Sequence, residues 1–117
     1  MKYMLLIYLD QTWDNRSLAE RQEVYSGQMQ LAEELTTRGQ YLGGSPLQPT
    51  SSATTVRVRD GKPLLTDGPF AETREHLGGY MLIDVGNLDE AIAIAARGPL
   101  ARVGAIEVRP VRVGPPR

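Results

Sequence analysis

The sequence contains no cysteine and one histidine, His76. The absence of cysteine excludes disulfides, thiolate metal ligands and a cysteine nucleophile, and it suits a reducing compartment. A single histidine excludes a metal site built from several imidazoles, so we expect no bound metal and no other cofactor. These absences favour a cytoplasmic protein.

A membrane-spanning segment and an excess of one charge are absent too. The apolar stretch at residues 3–9 stops at Asp10, far short of the ~20 residues that cross a bilayer. The 13 basic and 14 acidic side chains nearly cancel, so no global field draws the protein to a phosphate backbone or an anionic membrane. We expect neither nucleic acid nor a membrane as a partner.

The length of the chain, 117 residues, fits one hydrophobic core, because single domains occupy ~100–150 residues. We predict one domain over residues 1–113. Residues 114–117, a glycine, two prolines and an arginine, are expected to form a flexible tail.

The first half of the chain predicts a strand, a helix and a loop. Residues 3–9 are short and apolar on both faces, which indicates a buried strand. Ser17 and Glu20 have the spacing of a capping box, so a helix begins there, and Gly39 supplies its left-handed stop. The glycines and prolines of residues 43–50 indicate a loop.

The second half begins with a predicted β-hairpin, in which Thr54–Val58 and Pro63–Thr66 flank an Asp60-Gly61 turn. A strand over Tyr80–Val85 follows, then a helix capped at Asn87 and ended by Gly98-Pro99, and a last strand over about Gly104–Arg109. The order β-α-β-β-α-β, with an extra short hairpin arm, predicts an α+β, ferredoxin-like fold with two helices on one face of an antiparallel sheet.

Alternation along the strands assigns their side chains to two sheet faces. The predicted helix-facing set is Val56, Val58, Met81, Ile83, Val85, Ile106 and Val108. The opposite set is Arg57, Arg59, Tyr80, Leu82, Asp84, Glu107 and Arg109. Because the first strand is also apolar on that second face, leaving it in water would expose an apolar patch, and such patches mark interfaces. We therefore predict a homodimer that pairs sheet to sheet and encloses a polar cleft.

Several stretches resemble one family. They are "MKYMLLIY" at the start, "GGSPLQP", "ATTVRVRDGK", "TDGPFAET" at residues 66–73, "LGGY" at 77–80 and "EVRPV" near the end. The chain resembles the YCII-related proteins of the DGPF type, in the dimeric α+β barrel superfamily. The resemblance implies a ferredoxin-like protomer that pairs sheet to sheet. It also implies a regulatory role, because many such proteins resemble products encoded beside alternative sigma factors.

The resemblance bears on catalysis as well. In the wider YCII-like group, a histidine and aspartate dyad is associated with lyase or dehydrochlorinase-like chemistry. Ungapped placement against Gly39 aligns the dyad positions with Gln28 and Gly98. Glutamine does not exchange protons near neutral pH, and glycine has no side chain. Dyad catalysis is therefore not expected at these positions.

Two residues are catalytic candidates, Asp67 and His76. Asp67 is either a base or a turn residue that accepts hydrogen bonds from amides of its own loop. His76 carries the imidazole group that general acid–base catalysis most often uses, but it is predicted to lie in a solvated connector without an identified partner. Our predicted ligand-binding set is Arg57, Asp67, Phe70, Tyr80 and Arg109. The arginines suit an anionic ligand, or alternatively pair with Asp84 or Glu107 on neighbouring strands.

Three functions fit these features. The first is a small dimeric binding or regulatory module that holds a small polar or anionic molecule in the inter-sheet cleft. The second is a cofactor-free enzyme of lyase, dehydrochlorinase-like or isomerase type. The third, an RNA-binding sheet, shares the element order but lacks the aromatic stacking motif of such sheets.

Overall fold

The computed structural model describes residues 1–114, so most of the predicted flexible tail, residues 115–117, lies outside it. The elements are β1 (Lys2–Leu9), α1 (Gln11–Asp14), α2 (Leu18–Thr37), β2 (Tyr41–Pro46), a 3-10 turn (Thr50–Ser52), β3 (Thr54–Arg59), β4 (Lys62–Asp67), β5 (His76–Asp84), α3 (Leu88–Arg97), α4 (Leu100–Val103) and β6 (Ala105–Pro110).

The central sheet has four strands in the order β2-β5-β1-β6, and every neighbouring pair is antiparallel. Two long helices, α2 and α3, cover one face. Leu35 of α2 and Ala91 of α3 share a buried cluster with Met81 and Ile83 of β5. The α+β, ferredoxin-like fold predicted from the element order is therefore confirmed.

The predicted helix-facing residues of β5 and β6 are confirmed. Met81, Ile83 and Val85 are buried, and Ile106 and Val108 pack partly buried against the same cluster. A second cluster at one end of the sheet contains Ile7, Leu9, Trp13 of α1 and Leu100 of α4. The two short helices, absent from the sequence prediction, thus close that end of the core.

The second strand of the central sheet was wrongly placed. Residues 41–46, which include part of the predicted loop, form edge strand β2, whereas the predicted hairpin, β3 and β4, forms a separate two-stranded sheet. Val56 and Val58 are consequently exposed rather than helix-facing, and Arg57 and Arg59 lie outside the central sheet. Glycine and proline are tolerated in β2 because an edge strand pairs on one side only.

The predicted helix ends are borne out by their hydrogen bonds. The Ser17 hydroxyl accepts from the Glu20 N–H at 3.1 Å, and the Asn87 side chain accepts from the Glu90 N–H at 2.9 Å. Gly39 follows α2 with φ +72°, the left-handed region that favours glycine. Within residues 1–114, no helix is long and apolar enough to cross a membrane.

The second face of the central sheet carries no helix, since the helices described all join the clusters on the first face. We call it the open face. Its members alternate with the buried residues of their strands and are Met4, Leu6, Tyr8, Tyr80, Leu82, Asp84, Glu107 and Arg109. Leu6 lies at its centre, opposite Tyr80 on one side and Glu107 on the other. The predicted apolar character of β1 on both faces is confirmed.

Candidate functional site

A cleft of about 780 Å³ lies between α2 and the edge of the sheet formed by β2 and β5. Most of its wall is apolar, and its residues include Ile7, Met29, Ala32 and Leu100. The cleft is on the helix side of one protomer. The sequence predicts a different cleft, between two paired sheets, and that cleft stays a prediction.

The glycines of β2 and β5 form the floor of this cleft. A Cβ on Gly44 would stand 2.6 Å from the Tyr80 carbonyl oxygen and 2.7 Å from the Tyr41 hydroxyl. Gly78 and Gly79 are buried on the neighbouring strand and line the same space. A Cβ on Gly78 would lie 2.5 Å from Leu9 Cδ1, so the glycines let neighbouring strands and side chains approach closely at the floor of the cleft.

Polar groups enter the cleft from both walls. Gln28, Tyr25 and Glu33 come from α2, and Tyr41 and Ser45 come from β2. Burial raises the pKa of the Tyr25 phenol, and burial, followed by the nearby Tyr80, raises the pKa of Tyr41. Both phenols are therefore neutral hydrogen-bonding groups at pH 7.

Gln28 is held at the inner end of the cleft. Its Nε2 donates to the Met81 sulfur at 3.2 Å, and its Oε1 accepts from the Leu100 N–H at 3.4 Å. Gly98 faces it closely, because a Cβ there would lie 2.5 Å from Gln28 Oε1. Gln28 and Gly98, the two positions that the resemblance aligns with the dyad, are therefore neighbours in space. The Gln28 side-chain amide faces the backbone of Gly98, which has no side chain.

This contact gives a first prediction. Gly98→Ala should destabilise the protein by about 1 kcal/mol, because the new methyl group displaces the Gln28 amide from its contacts with the Met81 sulfur and the Leu100 N–H. In a Gln28→Ala background the same change should be neutral or slightly stabilising, since the obstructing side chain is gone and alanine restricts the unfolded chain. Urea unfolding of the wild type, the two single variants and the double variant measures the coupling free energy between Gly98 and Gln28. Gln30→Ala, an exposed glutamine of the same helix, is the control; additive costs in the Gln28→Ala background would contradict the contact.

The predicted ligand-binding residues do not converge. Tyr80 borders the cleft through its backbone carbonyl beside Gly44, while its side chain lies on the open face, as does that of Arg109. Arg57 and Phe70 are exposed in or beside the β3–β4 hairpin. No lysine or arginine is among the cleft residues that the structure describes, whereas Glu33 is. The predicted cluster of arginines around an anionic ligand is therefore absent from this cleft.

Arg109 is engaged by an acid, as the alternative interpretation of the sequence proposed. Its Nη2 donates to Glu107 Oε2 at 2.7 Å, and the Tyr8 hydroxyl donates to Oε1 of the same carboxylate at 3.4 Å. The hydrogen bond from Arg109 lowers the pKa of Glu107. The pair runs along β6, not across neighbouring strands.

The turn role predicted for Asp67 is not found: in the described part of the chain its carboxylate accepts no hydrogen bond from its own loop. Asp67 also lies outside the two cavities described above and below, and a role as a base in a cleft between two paired sheets stays a prediction. The loop is instead fixed by backbone groups, with the Gly68 N–H bound to the Ala53 carbonyl at 2.7 Å and the Thr55 hydroxyl bound to the Gly68 carbonyl at 2.8 Å. Phe70, in the same loop, is 78% exposed.

His76 begins β5 and is not in a solvated connector. Its side chain is only 21% exposed, and its Nε2 lies 3.7 Å from Asp14 Oδ2 of α1. His76 borders a cavity of about 310 Å³ that also touches Ser51, Glu72 and Thr73. Sequence reasoning missed this partner because α1, which carries Asp14, was not predicted.

The protein has an α+β fold, in which helices cover one face of an antiparallel sheet. A ligand-sized cleft lies beneath the long helix α2. Residues 1–113 match the YCII-related domain family, and the chain belongs to that family. An uncharacterized protein of Rhizobium meliloti (strain 1021) is 34% identical over 119 residues, covering 99% of this chain and 96% of the relative.

A solved structure shares the fold. The dehydrochlorinase for 5-chloro-2-hydroxyhydroquinone from Burkholderia phenoliruptrix AC1100, in complex with 2,5-dihydroxybenzoquinone, superposes with a TM-score of 0.57. The similarity covers 97% of this chain and 96% of that one at 15% identity, so it supports the architecture of the protomer and not an activity.

Proposed function

We propose that this protein is a homodimer that binds a small, neutral, hydroxylated molecule in the cleft beneath α2. The observation that carries the proposal is the cleft itself: its volume of about 780 Å³ lies within the roughly 300–1,000 Å³ of small-molecule sites. Apolar walls with a few convergent hydroxyl and amide groups suit a planar ring that bears hydroxyls.

The charge of the cleft narrows the ligand class. Glu33 brings a carboxylate to the cleft, and the described lining contains no basic side chain to balance it. An anionic ligand would meet repulsion there, whereas the neutral phenols of Tyr25 and Tyr41 and the Gln28 amide can exchange hydrogen bonds with hydroxyl groups. We therefore narrow the predicted polar or anionic ligand to a neutral one.

The homodimer is part of the same proposal. On the open face Leu6 is half-buried beside Tyr80, which is 37% exposed. A second copy would cover both through a two-fold, self-complementary contact. A cytoplasmic location and a regulatory link to an alternative sigma factor also belong to the proposal; the sigma-factor link rests on the family resemblance alone.

Titration with hydroquinone, a neutral diphenol, tests the binding site. Met29→Trp should weaken binding at least about tenfold, because Met29 is an exposed residue of the cleft wall and indole fills the cleft. Leu18→Trp, an exposed leucine of the same helix outside the cleft, should leave the affinity within about twofold. Calorimetric binding unaffected by Met29→Trp would refute the site, and no heat from wild type at millimolar hydroquinone would refute the ligand class.

An enzyme is the second candidate, favoured by His76, which borders its own cavity and lies 3.7 Å from Asp14. A carboxylate that approached the imidazole to hydrogen-bond distance would orient it for proton transfer. Chloride release from 5-chloro-2-hydroxyhydroquinone, lost in His76→Gln and retained in Gln28→Ala, would support acid–base chemistry at that pair. Turnover that survives His76→Gln would exclude it.

A further inference from the structure

The β3–β4 hairpin stands apart from the central sheet. We call residues 54–67 the arm. Its strands pair only with each other, and Asp60 and Gly61 join them with φ values of +52° and +74°. Every residue of the two strands except Thr55 is exposed. A lone two-stranded hairpin is marginally stable in water, so the arm lacks the contact that would hold it.

The two faces of the arm differ in character. The register pairs Val56 with Leu65 and Val58 with Pro63 on one face. The other face carries Arg57, Arg59 and Lys62, together with Leu64. Such alternation is typical of a hairpin with one buried and one solvated face. Val58 is 60% exposed and Leu65 70% exposed, so the face that should be buried is uncovered in the single chain.

The surface area of the chain indicates how much contact is missing. Its accessible surface is 8173 Å², about 1,900 Å² more than a compact monomer of 12.9 kDa would have. Its radius of gyration is 16.1 Å, against about 13 Å for a compact domain of this length. Obligate dimers bury roughly 1,000–2,500 Å² on each partner. The excess lies within that range, so the chain is extended enough to supply the surface that an obligate dimer buries.

We propose that the apolar face of the arm packs against a second copy of this chain. In the chain the arm lies between β2 and β5, which are neighbouring strands at one edge of the central sheet. In a two-fold dimer the contact would be reciprocal, so the arm of each copy would pack against the other copy. The inference rests on the proposed homodimer. It also accounts for the exposed Phe70, which follows the arm directly and would be covered by the same partner.

Hydrogen–deuterium exchange on the wild-type protein tests the contact. Amides of residues 54–67 should exchange at least about tenfold more slowly above the dimer dissociation constant than below it, because docking suppresses opening of the hairpin ladder. Amides of α3 serve as the internal reference for global stability. A dimer in which the arm exchanges as fast as in the monomer overturns the inference.

Two adjacent leucines provide a matched pair of variants. Leu65→Asp places a carboxylate on the apolar face and should raise the dissociation constant of the dimer at least about tenfold. Leu64→Asp makes the same change on the opposite face, where Leu64 is 52% exposed, and should shift the constant less than about threefold. Circular dichroism confirms that both fold. Equal constants for the two variants overturn the inference.

The oligomeric state of the wild type and of the two leucine variants distinguishes failure of the arm contact from failure of the proposed homodimer. A wild type that is monomeric at every concentration refutes both the homodimer and the arm contact. A wild type that is dimeric, with Leu65→Asp as tightly associated as Leu64→Asp, leaves the sheet-to-sheet dimer standing and refutes only the arm.

Discussion

Leu6→Asp is expected to dissociate the proposed dimer. Leu6 lies at the centre of the open face, between Tyr80 and Glu107. In a sheet-to-sheet dimer an aspartate there would be buried without a partner and close to the Glu107 carboxylate, at a cost of several kcal/mol. Because about 1.4 kcal/mol is a tenfold change, the dissociation constant should rise at least about 100-fold. Sedimentation equilibrium measures it.

Leu18→Asp is the matched control for this prediction. Leu18 is 64% exposed in the first turn of α2, away from the sheet, and a negative charge near a helix N-terminus is tolerated. Its dissociation constant should equal that of wild type within about twofold. If Leu6→Asp associates as tightly as Leu18→Asp while both remain folded, the open face is not the interface.

Leu35→Ala is expected to lower the free energy of unfolding by about 2–5 kcal/mol. Leu35 is fully buried on α2, in the cluster that joins the helix to β5. Truncation removes contacts on every side and leaves a cavity, because the sheet and α3 restrict collapse around it. Urea unfolding at a fixed protein concentration measures the cost, since association would add a concentration-dependent term.

Leu18→Ala makes the same chemical change on the exposed side of the same helix. It should alter the free energy of unfolding by less than about 0.5 kcal/mol. Because α2 also forms a wall of the cleft, Leu35→Ala should weaken hydroquinone binding in the folded protein, whereas Leu18→Ala should not. Equal stabilities of the two variants would contradict the packing of α2 on the sheet.

Local chemistry explains why much of the fold could be predicted from the sequence. Ser17 and Asn87 cap helices through their own side chains, and Asp60-Gly61 adopts the positive φ values that a tight hairpin turn requires. Each signal acts over a few residues, so no tertiary information is needed to interpret it. The helix-facing side of β5 followed from simple alternation.

The errors arose where tertiary contacts overrule local preference. Gly44 and Pro46 are loop residues by composition, yet they belong to an edge strand that a larger side chain could not form, since Gly44 abuts the Tyr80 carbonyl. Because β2 was not predicted, the arm was assigned to the position in the central sheet that β2 occupies. The cleft beneath α2 was then not predicted, since β2 forms one of its walls. The Asp14–His76 pair joins elements remote in the sequence and could not be inferred from spacing.

The central claim is that two copies of the chain associate through the open face. Multi-angle light scattering of the wild-type protein at micromolar concentration tests it most directly. The account predicts a single species of twice the 12.9 kDa chain mass. A single species of 12.9 kDa across that concentration range would contradict the account.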